Sequence, residues 1–423
     1  MSEYDVVIIG AGAAGLAAAR ALQNSKVRVL VLEAKDRIGG RAFTDTVTFP
    51  GIPFDHGCHW LHSASLNPLR KEADRLGFAY NSGPSFEPRA RVSSGRWLDP
   101  AESQKVADGW DVFEAEVDAI YKSGKDVAVG TSVGRLHPWF PAFANGFTLA
   151  NAGTVDEASA KDLGTYKNTG EDFPVRDGLG ALIVRLADGI PVQLSTPVKA
   201  IDGGGRRIKI TTAKGTVEAR AVIVSVSSSI LADGVIAFSG CDFSRHREAA
   251  SACRLGVAEK VAVLLDRPVD GIGDNGFITS FDPARSDQKP LSLYCQPFGK
   301  PVVSGYLGGP IARDLVTAGK PAMVDFLLSH LAEVFGSSIR ARVVKTLATT
   351  WLTDPDIRGA YSFARAGSAR LRSQLAKPID GRIIFAGEAT AGEFYSTAHG
   401  AHLSGERAAR EALQSLAPSF HGS

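Results

Sequence analysis

The sequence has few cysteines, no basic run and no long apolar stretch, and each of these absences argues against a class of protein. The four cysteines among 423 residues are widely scattered, which fits neither a disulfide scaffold nor a metal knuckle. The net charge is only +2, without a basic patch or an acidic tail, so nucleic-acid binding has no support. No uninterrupted apolar stretch reaches membrane-spanning length, so we expect no membrane insertion.

Length and composition indicate a globular protein of more than one domain. A chain of 423 residues exceeds one ordinary core, and 44% hydrophobic with 22% charged residues is the usual balance of such proteins. An apolar strand begins by Tyr4, which leaves no room for a cleavable signal. Together with the scattered cysteines, this predicts a cytoplasmic location.

A glycine-rich turn lies between an apolar strand and a helix near the start of the chain. Residues 5–9 predict a strand buried on both faces, and residues 13–22 predict a helix rich in alanine and leucine. The glycines between them, Gly10, Gly12 and Gly15, supply a tight turn, an approach for a pyrophosphate and a close contact between helix and sheet. The free N–H groups at the helix start then face the phosphates.

A carboxylate stands where a ribose-binding acid is expected. The second apolar strand, residues 27–32, ends at Glu33, which is 18 residues after Gly15. A carboxylate there accepts hydrogen bonds from both ribose hydroxyls and repels a 2'-phosphate, so NADP is disfavoured. A glycine motif alone also occurs in ordinary turns. With strand, helix, second strand and acid in register, a dinucleotide site is the favoured interpretation.

The segment after Glu33 adds two glycines and two arginines. Residues 33–41 resemble the E-x-x-x-R-x-G-G-R segment of the flavin amine oxidase superfamily. The resemblance implies that the second glycine pair, Gly39 and Gly40, holds the pyrophosphate together with Arg41. It also implies that the dinucleotide is FAD.

An irregular loop follows, too rich in proline and glycine for the interior of an element. Residues 49–62 resemble the D-x-G-A-x-W-x-H-G loop of polyamine oxidases. The resemblance implies that Gly57, Cys58 and Trp60 run beside the isoalloxazine and that His62 faces the substrate. The alternatives are plain packing or a metal site formed by Cys58, His59 and His62. The metal site is disfavoured because no clear remote ligand completes the set.

Residues 100–121 predict an amphipathic helix with acidic residues around an apolar stripe. The main interpretation is a solvated helix with one buried face. The alternative is that its acidic residues, Asp111, Glu114, Glu116 and Asp118, form a wall that attracts a cationic substrate.

A later stretch returns to the pattern of the first unit. It predicts an amphipathic helix at residues 178–186, short strands at residues 192–201 and 208–212, and a strand buried on both faces at residues 221–226. The stretch resembles the second FAD-contacting segment of the superfamily, which implies that the backbone of Val198 meets the adenine. Three serines follow where the family usually has proline, so the local turn departs from the family pattern.

Residues 255–265 predict a strand with Lys260 near its entry. A lysine in such a place is usually a solvated edge residue. The superfamily, however, has here a lysine that is bonded through water to the flavin N5, and the resemblance implies that Lys260 eases the reaction of reduced flavin with oxygen. Residues 266–340 predict strands and one helix, residues 322–335.

Two further segments resemble the superfamily near the end of the chain. Residues 351–355 and 359–362 match its W-x-x-D-P and G-x-Y-S patterns, which implies that Trp351 and Tyr361 form aromatic walls near the flavin. Core packing is an equal alternative for Trp351.

Residues 385–401 resemble the closing segment of spermine and acetylpolyamine oxidases, G-E-A-T followed by Y-S-T-x-H-G-A. The resemblance implies that Glu388 contacts the ribitol and that Thr397 and Ala398 sit by the flavin ring. A helix that begins here would point its N-terminus at the flavin pyrimidine and stabilise negative charge on it.

Together these segments predict an α/β fold: an FAD-binding Rossmann-type, glutathione-reductase-like domain with a discontinuous α+β substrate domain. We expect the FAD-binding domain to comprise residues 1–80, 178–255 and 378–423. The substrate domain is expected to comprise residues 81–177 and 256–377.

The expected function is an FAD-dependent amine oxidase that converts an amine to an imine and reduces O2 to H2O2. Lys260, His62, Tyr361 and Thr397 are the candidate catalytic residues. The FAD is expected to be non-covalent, because Ala360 stands where monoamine oxidases carry the attaching cysteine. The expected partners are a small amine and O2, without nucleic acid or membrane, and the expected state is a monomer or homodimer.

A polyamine or long diamine is the expected substrate. Monoamine oxidases enclose a small amine between two tyrosines beside the flavin, and Thr397 stands where the second of these tyrosines would be. Glu171 and Asp172 are candidate carboxylates for such a chain. The alternatives are an oxidase of a bulky secondary or cyclic amine, a desaturase of an apolar substrate, and a binding protein that keeps FAD only as a structural element.

Overall fold

The computed structural model describes residues 3–83 and 89–417. The α-helices are α1 (Ala13–Leu22), α2 (Pro68–Leu76), α3 (Pro100–Lys122), α4 (Phe140–Asn151), α5 (Ala160–Leu163), α6 (Leu179–Arg185), α7 (Ser228–Ala232), α8 (Ser244–Ala252), α9 (Gly309–Ala318), α10 (Lys320–Phe335), α11 (Ala369–Leu375) and α12 (Ala398–Leu416). No helix within the described ranges combines the length and apolar character needed to cross a membrane.

The strands are β1 (Glu3–Ile9), β2 (Val29–Leu32), β3 (Thr44–Asp45), β4 (Phe54–Asp55), β5 (Trp60–Leu61), β6 (Arg89–Ser93), β7 (Arg96–Trp97), β8 (Phe173–Pro174), β9 (Val192–Gln193), β10 (Val198–Asp202), β11 (Ile208–Thr212), β12 (Gly215–Val224), β13 (Ala237–Ser239), β14 (Ala258–Leu265), β15 (Gly276–Ser280), β16 (Leu291–Cys295), β17 (Val302–Gly308), β18 (Val343–Ala348) and β19 (Ile383–Phe385). Short 3-10 helices lie at Val129–Thr131, Pro297–Gly299, Ser337–Arg342, Glu388–Thr390 and Gly392–Phe394.

The first large sheet is built around β1. Its strand order is β13-β10-β11-β12-β1-β2-β9, with β19 also paired to β12. β1 runs parallel to both β2 and β12. Val6 and Ile8 pack with α1 and α12 on one face, while Val7 packs with α7 and α8 on the other. The predicted strand buried on both faces is therefore confirmed.

Two helices that begin beside the central strand cross closely on one face of this sheet. A Cβ at Gly405 of α12 would lie only 2.1 Å from the carbonyl oxygen of Ala14 in α1, so the two backbones could not approach this far with a larger residue. This contact brings the last helix of the described chain onto the first.

The second large sheet has the order β18-β14-β17-β16-β15-β6-β7. Its pairs are antiparallel except that β6 runs parallel to β15. Met323, Leu327 and Leu331 of α10 are fully buried in the core beside it. Residues 309–318 form α9, so the prediction of one helix in this region was wrong. Its start carries two glycines and a proline, signals of a turn, although proline is compatible with a first helical turn.

A third layer, made of α3, α4 and α5, packs in its own apolar core against parts of both sheet regions. α3 begins with a capping box, in which Asp99 accepts from the backbone N–H of Glu102 and the Glu102 side chain accepts from that of Asp99. Val106, Phe113 and Val117 lie on its buried stripe, as predicted.

The serines that replace the family's proline form a helix start rather than an open turn. The Ser227 hydroxyl accepts a hydrogen bond from the backbone N–H of Ile230 and caps α7. The same hydroxyl donates to the carbonyl oxygen of Ile357 at 2.6 Å. The departure in sequence therefore changes the local chemistry without disturbing the sheet.

Candidate functional site

A cavity of about 1280 Å³ extends from the glycine turn after β1 to α3. Its walls come from the ends of β1, β2 and β10, from the loop between β4 and β5, from β14 and β17, and from α3, α4 and the start of α12. Of the residues predicted for the site, Gly15 lies outside the cavity wall. Those that line the cavity are Gly10, Gly12, Glu33, Arg41, Gly57, Cys58, Trp60, His62, Val198, Lys260, Trp351, Tyr361, Glu388, Thr397 and Ala398.

The glycines of the first turn have distinct physical roles. Gly10 has a φ of +101°, and a Cβ on Gly15 would lie 1.9 Å from the Gly10 carbonyl oxygen, so both are required by the fold. A Cβ on Gly12 would come no closer than 3.9 Å to its nearest protein neighbours. Because Gly12 lines the cavity, a side chain there would fill space that the fold leaves open for a ligand.

Glu33 is held firmly at the end of β2. It is 7% exposed, its Oε2 accepts from the backbone N–H of Ala11 at 2.6 Å, and its Oε1 accepts from that of Lys35 at 2.9 Å. A carboxylate has about four lone-pair sites, so acceptor capacity remains for ribose hydroxyls. This geometry fits the ribose contact that the sequence predicts.

The second glycine pair lies against the first turn. The backbone N–H of Gly39 donates to the carbonyl oxygen of Ala11 at 2.8 Å, and Gly40 has a φ of +59°. Arg41 follows, and its Nη1 donates to Glu388 Oε1 at 2.9 Å and to the Ala360 carbonyl oxygen at 2.6 Å. Two glycine turns and a guanidinium on one cavity wall fit the pyrophosphate of FAD.

Glu388 belongs to a buried chain of charged groups. Its Oε2 accepts from the Ser362 hydroxyl at 2.7 Å, and that hydroxyl in turn accepts from Arg372 Nη1 at 2.9 Å. Arg372 forms a two-pronged ion pair with Asp162. Burial raises the pKa of Glu388, but Arg41, the hydrogen bond from Ser362 and the charge of Arg372 together outweigh burial and leave the pKa below its ordinary value. The predicted contact of Glu388 with the ribitol stays a prediction, since both carboxylate oxygens already accept from the protein.

Asp162 and Arg372 were missed by sequence reasoning. Neither lies in a motif, and their pairing across 210 positions leaves no local signal.

Lys260 is placed in the interior of the second sheet, because β14 has β17 on one side and β18 on the other. The alternative of a solvated edge lysine is therefore wrong. Its ammonium donates to the carbonyl oxygens of Asp55 at 2.8 Å and Gly57 at 2.6 Å, and to His59 Nδ1 at 3.0 Å. Burial lowers the pKa of Lys260 to about 8.

The loop between β4 and β5 is fixed at both ends. The buried Asp55 carboxylate accepts from the backbone N–H groups of Leu179 and Gly180, so it caps α6 from another part of the chain. A Cβ on Gly57 would lie 1.8 Å from the carbonyl oxygen of Arg41. Burial raises the pKa of Cys58 to about 12, so its thiol stays neutral. These contacts hold the predicted flavin-side loop against the arginine turn.

His62 pairs with a carboxylate inside the cavity. Its Nδ1 lies 2.8 Å from Asp172 Oδ1, which places the ring proton on Nδ1 and leaves Nε2 as an acceptor. Burial raises the pKa of Asp172, but the interaction with His62, the hydrogen bond from the backbone of Ser63 and the nearby His399 together outweigh burial and leave the pKa below its ordinary value. Glu171, also a predicted candidate, instead accepts from Ser65 and Thr169 at the surface.

The histidines of this loop are engaged with protein groups. His59 uses its two ring nitrogens for Lys260 and Tyr306. Within the described residues, no group of three histidine, cysteine or acidic side chains is arranged to hold a metal ion.

Aromatic side chains and a helix start complete the wall. Trp351 is buried against Leu255 and also lines the cavity, so it packs in the core and its role as a wall beside the flavin stays a prediction. The Tyr361 hydroxyl donates to the Leu149 carbonyl oxygen. Thr397 caps α12, since its hydroxyl accepts from the backbone N–H of Gly400 at 3.0 Å. The α12 N-terminus is thereby presented to the cavity.

The acidic side chains of α3 differ in whether they line the cavity. Glu114 and Asp118 line the cavity and are exposed, whereas Asp111 does not line it and Glu116 accepts from the backbone N–H of Gly134 at 2.8 Å. The predicted buried stripe is confirmed, whereas attraction of a cationic substrate by the acidic side chains stays a prediction.

A sheet whose central strands are parallel, with two glycine turns and a terminal carboxylate, is joined to a second sheet across a shared cavity, and this arrangement defines a dinucleotide-binding enzyme fold. Residues 121–413 match the family model described as flavin containing amine oxidoreductase, and residues 8–76 match an NAD(P)-binding Rossmann-like domain. The chain belongs to the flavin containing amine oxidoreductase family. The expected fold class and the expected FAD cofactor are thereby confirmed.

Known proteins resemble the chain along nearly all its length. It is 29% identical to lysine-specific histone demethylase 2 of Homo sapiens over 96% of this chain and 53% of that protein. It is 26% identical to polyamine oxidase 2 of Arabidopsis thaliana, over 96% and 87% respectively. The chain thus spans about half the length of the demethylases that it matches. A redesigned double mutant of putrescine oxidase shares the fold, with a TM-score of 0.78 and 21% identity over 98% of this chain and 99% of that one.

Proposed function

We propose that the protein is an FAD-dependent amine oxidase that oxidises a C–N bond of a polyamine or long diamine to an imine and yields H2O2 from O2. FAD supplies the redox chemistry when bound, by accepting a hydride from the carbon beside the nitrogen and passing two electrons to O2. The observation that carries the proposal is one cavity whose wall contains the dinucleotide turns, Lys260, the His62–Asp172 pair and two carboxylates of α3.

The residues of the first sheet bind and orient the cofactor. Glu33 would accept from the ribose hydroxyls, and the backbone of Val198 would hold the adenine. Gly12 would admit the pyrophosphate, and Arg41 would neutralise it. The N-terminus of α12, capped by Thr397, would stabilise negative charge on the flavin, and Ala398 would leave room for the ring.

The residues across the cavity act on the amine. An amine must lose its proton before it can give up a hydride, and Nε2 of His62 is the acceptor for that proton because Asp172 holds the opposite nitrogen as a donor. Trp351 and Tyr361 exclude water beside the reacting carbon. Lys260 lies beside the flavin loop and eases the reaction with O2.

The preference for a substrate with a second, distant nitrogen rests on α3. Glu114 and Asp118 face the same cavity as His62, so a cation held by them would lie along the substrate chain rather than at the reacting carbon. The relatives named polyamine oxidases and putrescine oxidase support this class. Because Thr397 is not aromatic, a compact arylalkyl amine would lack one of the two aromatic contacts that enclose it in monoamine oxidases.

A second candidate is oxidation of a methylated lysine side chain in a peptide. The relatives named lysine-specific histone demethylases favour it, and the two carboxylates of α3 would suit a cationic peptide equally well. Membership of an amine oxidoreductase family argues against the desaturase alternative. The bulky secondary or cyclic amine stays a competing substrate class.

The experiment is a measurement of peroxide release from the FAD-loaded protein across benzylamine, a cyclic secondary amine, putrescine, spermidine, spermine and a methyl-lysine peptide. We expect kcat/KM to increase with the number of spaced nitrogens, and His62→Ala to reduce it more for spermine than for benzylamine. Faster turnover of benzylamine or the cyclic amine would reject the polyamine class. Turnover of the peptide alone would select the second candidate.

We extend the proposal to the organisation of the chain. The strands of the first sheet all fall within residues 1–80, 178–255 and 378–423, and those of the second within residues 81–177 and 256–377. This distribution supports the expected division into FAD-binding and substrate domains. The cytoplasmic location and the monomeric or homodimeric state remain predictions.

A further inference from the structure

The ammonium of Lys260 has an acceptor for each of its donors. An ammonium carries three N–H groups. The three acceptors are the carbonyl oxygens of Asp55 and Gly57, at 2.8 and 2.6 Å, and His59 Nδ1 at 3.0 Å. Among the described residues, His59 is the one side chain in this set. The position of the ammonium therefore depends on how the His59 ring is held.

The His59 ring is fixed in one tautomer and one orientation. Since an ammonium only donates, Nδ1 must accept and the ring proton must lie on Nε2. Nε2 is 3.0 Å from the Tyr306 hydroxyl, and the two rings are nearly parallel with centroids 5.9 Å apart. Trp60 packs on the ring at 4.6 Å and Tyr294 at 5.9 Å. Packing and the Tyr306 contact together leave the acceptor nitrogen pointed at Lys260.

The charges around this cluster keep the histidine neutral. Burial, followed by the charge of Lys260, lowers the pKa of His59 well below its ordinary value. The titratable groups that face Lys260 from the neighbouring elements are Asp55, His56, Cys58 and His59 in the loop that begins in β4 and Tyr306 on β17.

We propose that His59 is a positioning residue for Lys260: oriented by Tyr306, its Nδ1 accepts from the ammonium, fixes it against the cavity wall and favours its charged form. The inference rests on the proposed place of Lys260 beside the cofactor. It also means that a water at the flavin bonds to Lys260 only when one of the three acceptors gives way. His59 is the acceptor that a side-chain rotation can remove.

The test follows the absorbance spectrum of the bound, oxidised FAD from about pH 6 to about pH 10. The wild-type protein should show a spectral transition near pH 8, where burial places the pKa of Lys260, and Lys260→Met should abolish it. His59→Leu should lower the transition by about one to two pH units, because a hydrogen bond to a charged group is worth that much. In His59→Asn the side-chain oxygen can replace Nδ1 as acceptor, so the transition should return most of the way to the wild-type pH.

Two results overturn the inference in distinguishable ways. If the transition of His59→Leu occurs at the wild-type pH, His59 does not hold Lys260. The proposed position of Lys260 beside the cofactor is then unaffected. A spectrum without the transition, or a transition that persists in Lys260→Met, removes Lys260 from the cofactor and the inference with it. Peroxide release from amines then reports separately whether the proposed function stands.

Tyr306→Phe provides a second route if His59→Leu does not retain FAD. Without the Tyr306 hydroxyl to accept from Nε2–H, the tautomer and orientation of His59 are no longer fixed. The pH of the transition should therefore decrease, as in His59→Leu, but by a smaller amount. An unchanged transition in Tyr306→Phe rejects the orienting role of Tyr306 and overturns the proposal as stated.

Discussion

Arg41 and Glu388 are 347 positions apart in the chain and form an ion pair with an Nη1 to Oε1 distance of 2.9 Å. Arg41 ends the second glycine turn, and Glu388 starts the 3-10 helix after β19. The pair therefore joins the first and last segments of the cofactor side. It also continues through Ser362 to the buried pair of Arg372 and Asp162.

Glu388→Gln should lower the free energy of unfolding by about 3 kcal/mol, because breaking a buried ion pair leaves an uncompensated charge. Urea unfolding of the FAD-loaded protein, followed by circular dichroism, measures the change. Glu393→Gln is the matched control, since its pair with Lys167 is exposed and should matter by less than about 1 kcal/mol. Equal effects of both substitutions would contradict a structural role for the buried pair.

Lys260→Met should leave the fold and FAD binding intact and slow one redox half-reaction by about a hundredfold or more, as loss of a positioned donor does. Rapid mixing of the enzyme with amine, and of the reduced enzyme with O2, separates the two half-reactions. Lys345→Met removes an exposed lysine from the neighbouring β18 and serves as the control. Unaltered rates for both half-reactions would remove Lys260 from the catalytic residues.

The double variant Glu114→Gln and Asp118→Asn should raise KM for spermine several-fold, because each exposed carboxylate contributes about 0.2–1 kcal/mol to holding a cation. The value for benzylamine, which has no second nitrogen, should not change. Asp111→Asn alters the same helix outside the cavity and is the control. A KM for spermine insensitive to the double variant would make these carboxylates part of the solvated face only.

His399 should make stability fall as the solution is acidified. Burial lowers its pKa from 6.5 to about 3, so below pH 6.5 the unfolded chain binds a proton that the folded chain does not. Between pH 6.5 and 5 the free energy of unfolding should decrease by about 2 kcal/mol. Comparing urea unfolding of the wild type and of His399→Asn at the two pH values isolates the histidine. Parallel losses of stability in both proteins would assign the acid sensitivity to other groups.

The FAD should be released by acid precipitation, leaving the yellow colour in the supernatant. Ala360 is mostly buried on the cavity wall and carries no atom that could attach the flavin. Absorbance of the two fractions at the flavin maximum measures the release, and colour retained in the pellet would show a covalent bond elsewhere.

Local pattern predicted the first sheet well. The apolar run of β1, the glycine turn and α1 follow each other within a few residues, so periodicity and glycine placement specify them without distant partners. The sequence also placed Glu33 directly after β2, because its position depends only on where that strand ends. α9 was missed because the glycines and proline at its start carry the same signal as a turn.

The sequence by itself determined the dinucleotide unit and the type of cofactor, and nearly all the site residues that it predicted line the cavity, since these depend on short motifs. Only the tertiary structure decided which side chains meet: His59 with Lys260 across 201 positions, and Arg41 with Glu388 across 347. It also decided that Glu114 and Asp118 of α3 face the cavity. The physical reason is that side-chain partners are selected by the packing of distant segments, and a pattern along the chain carries no information on the separation of such segments in space.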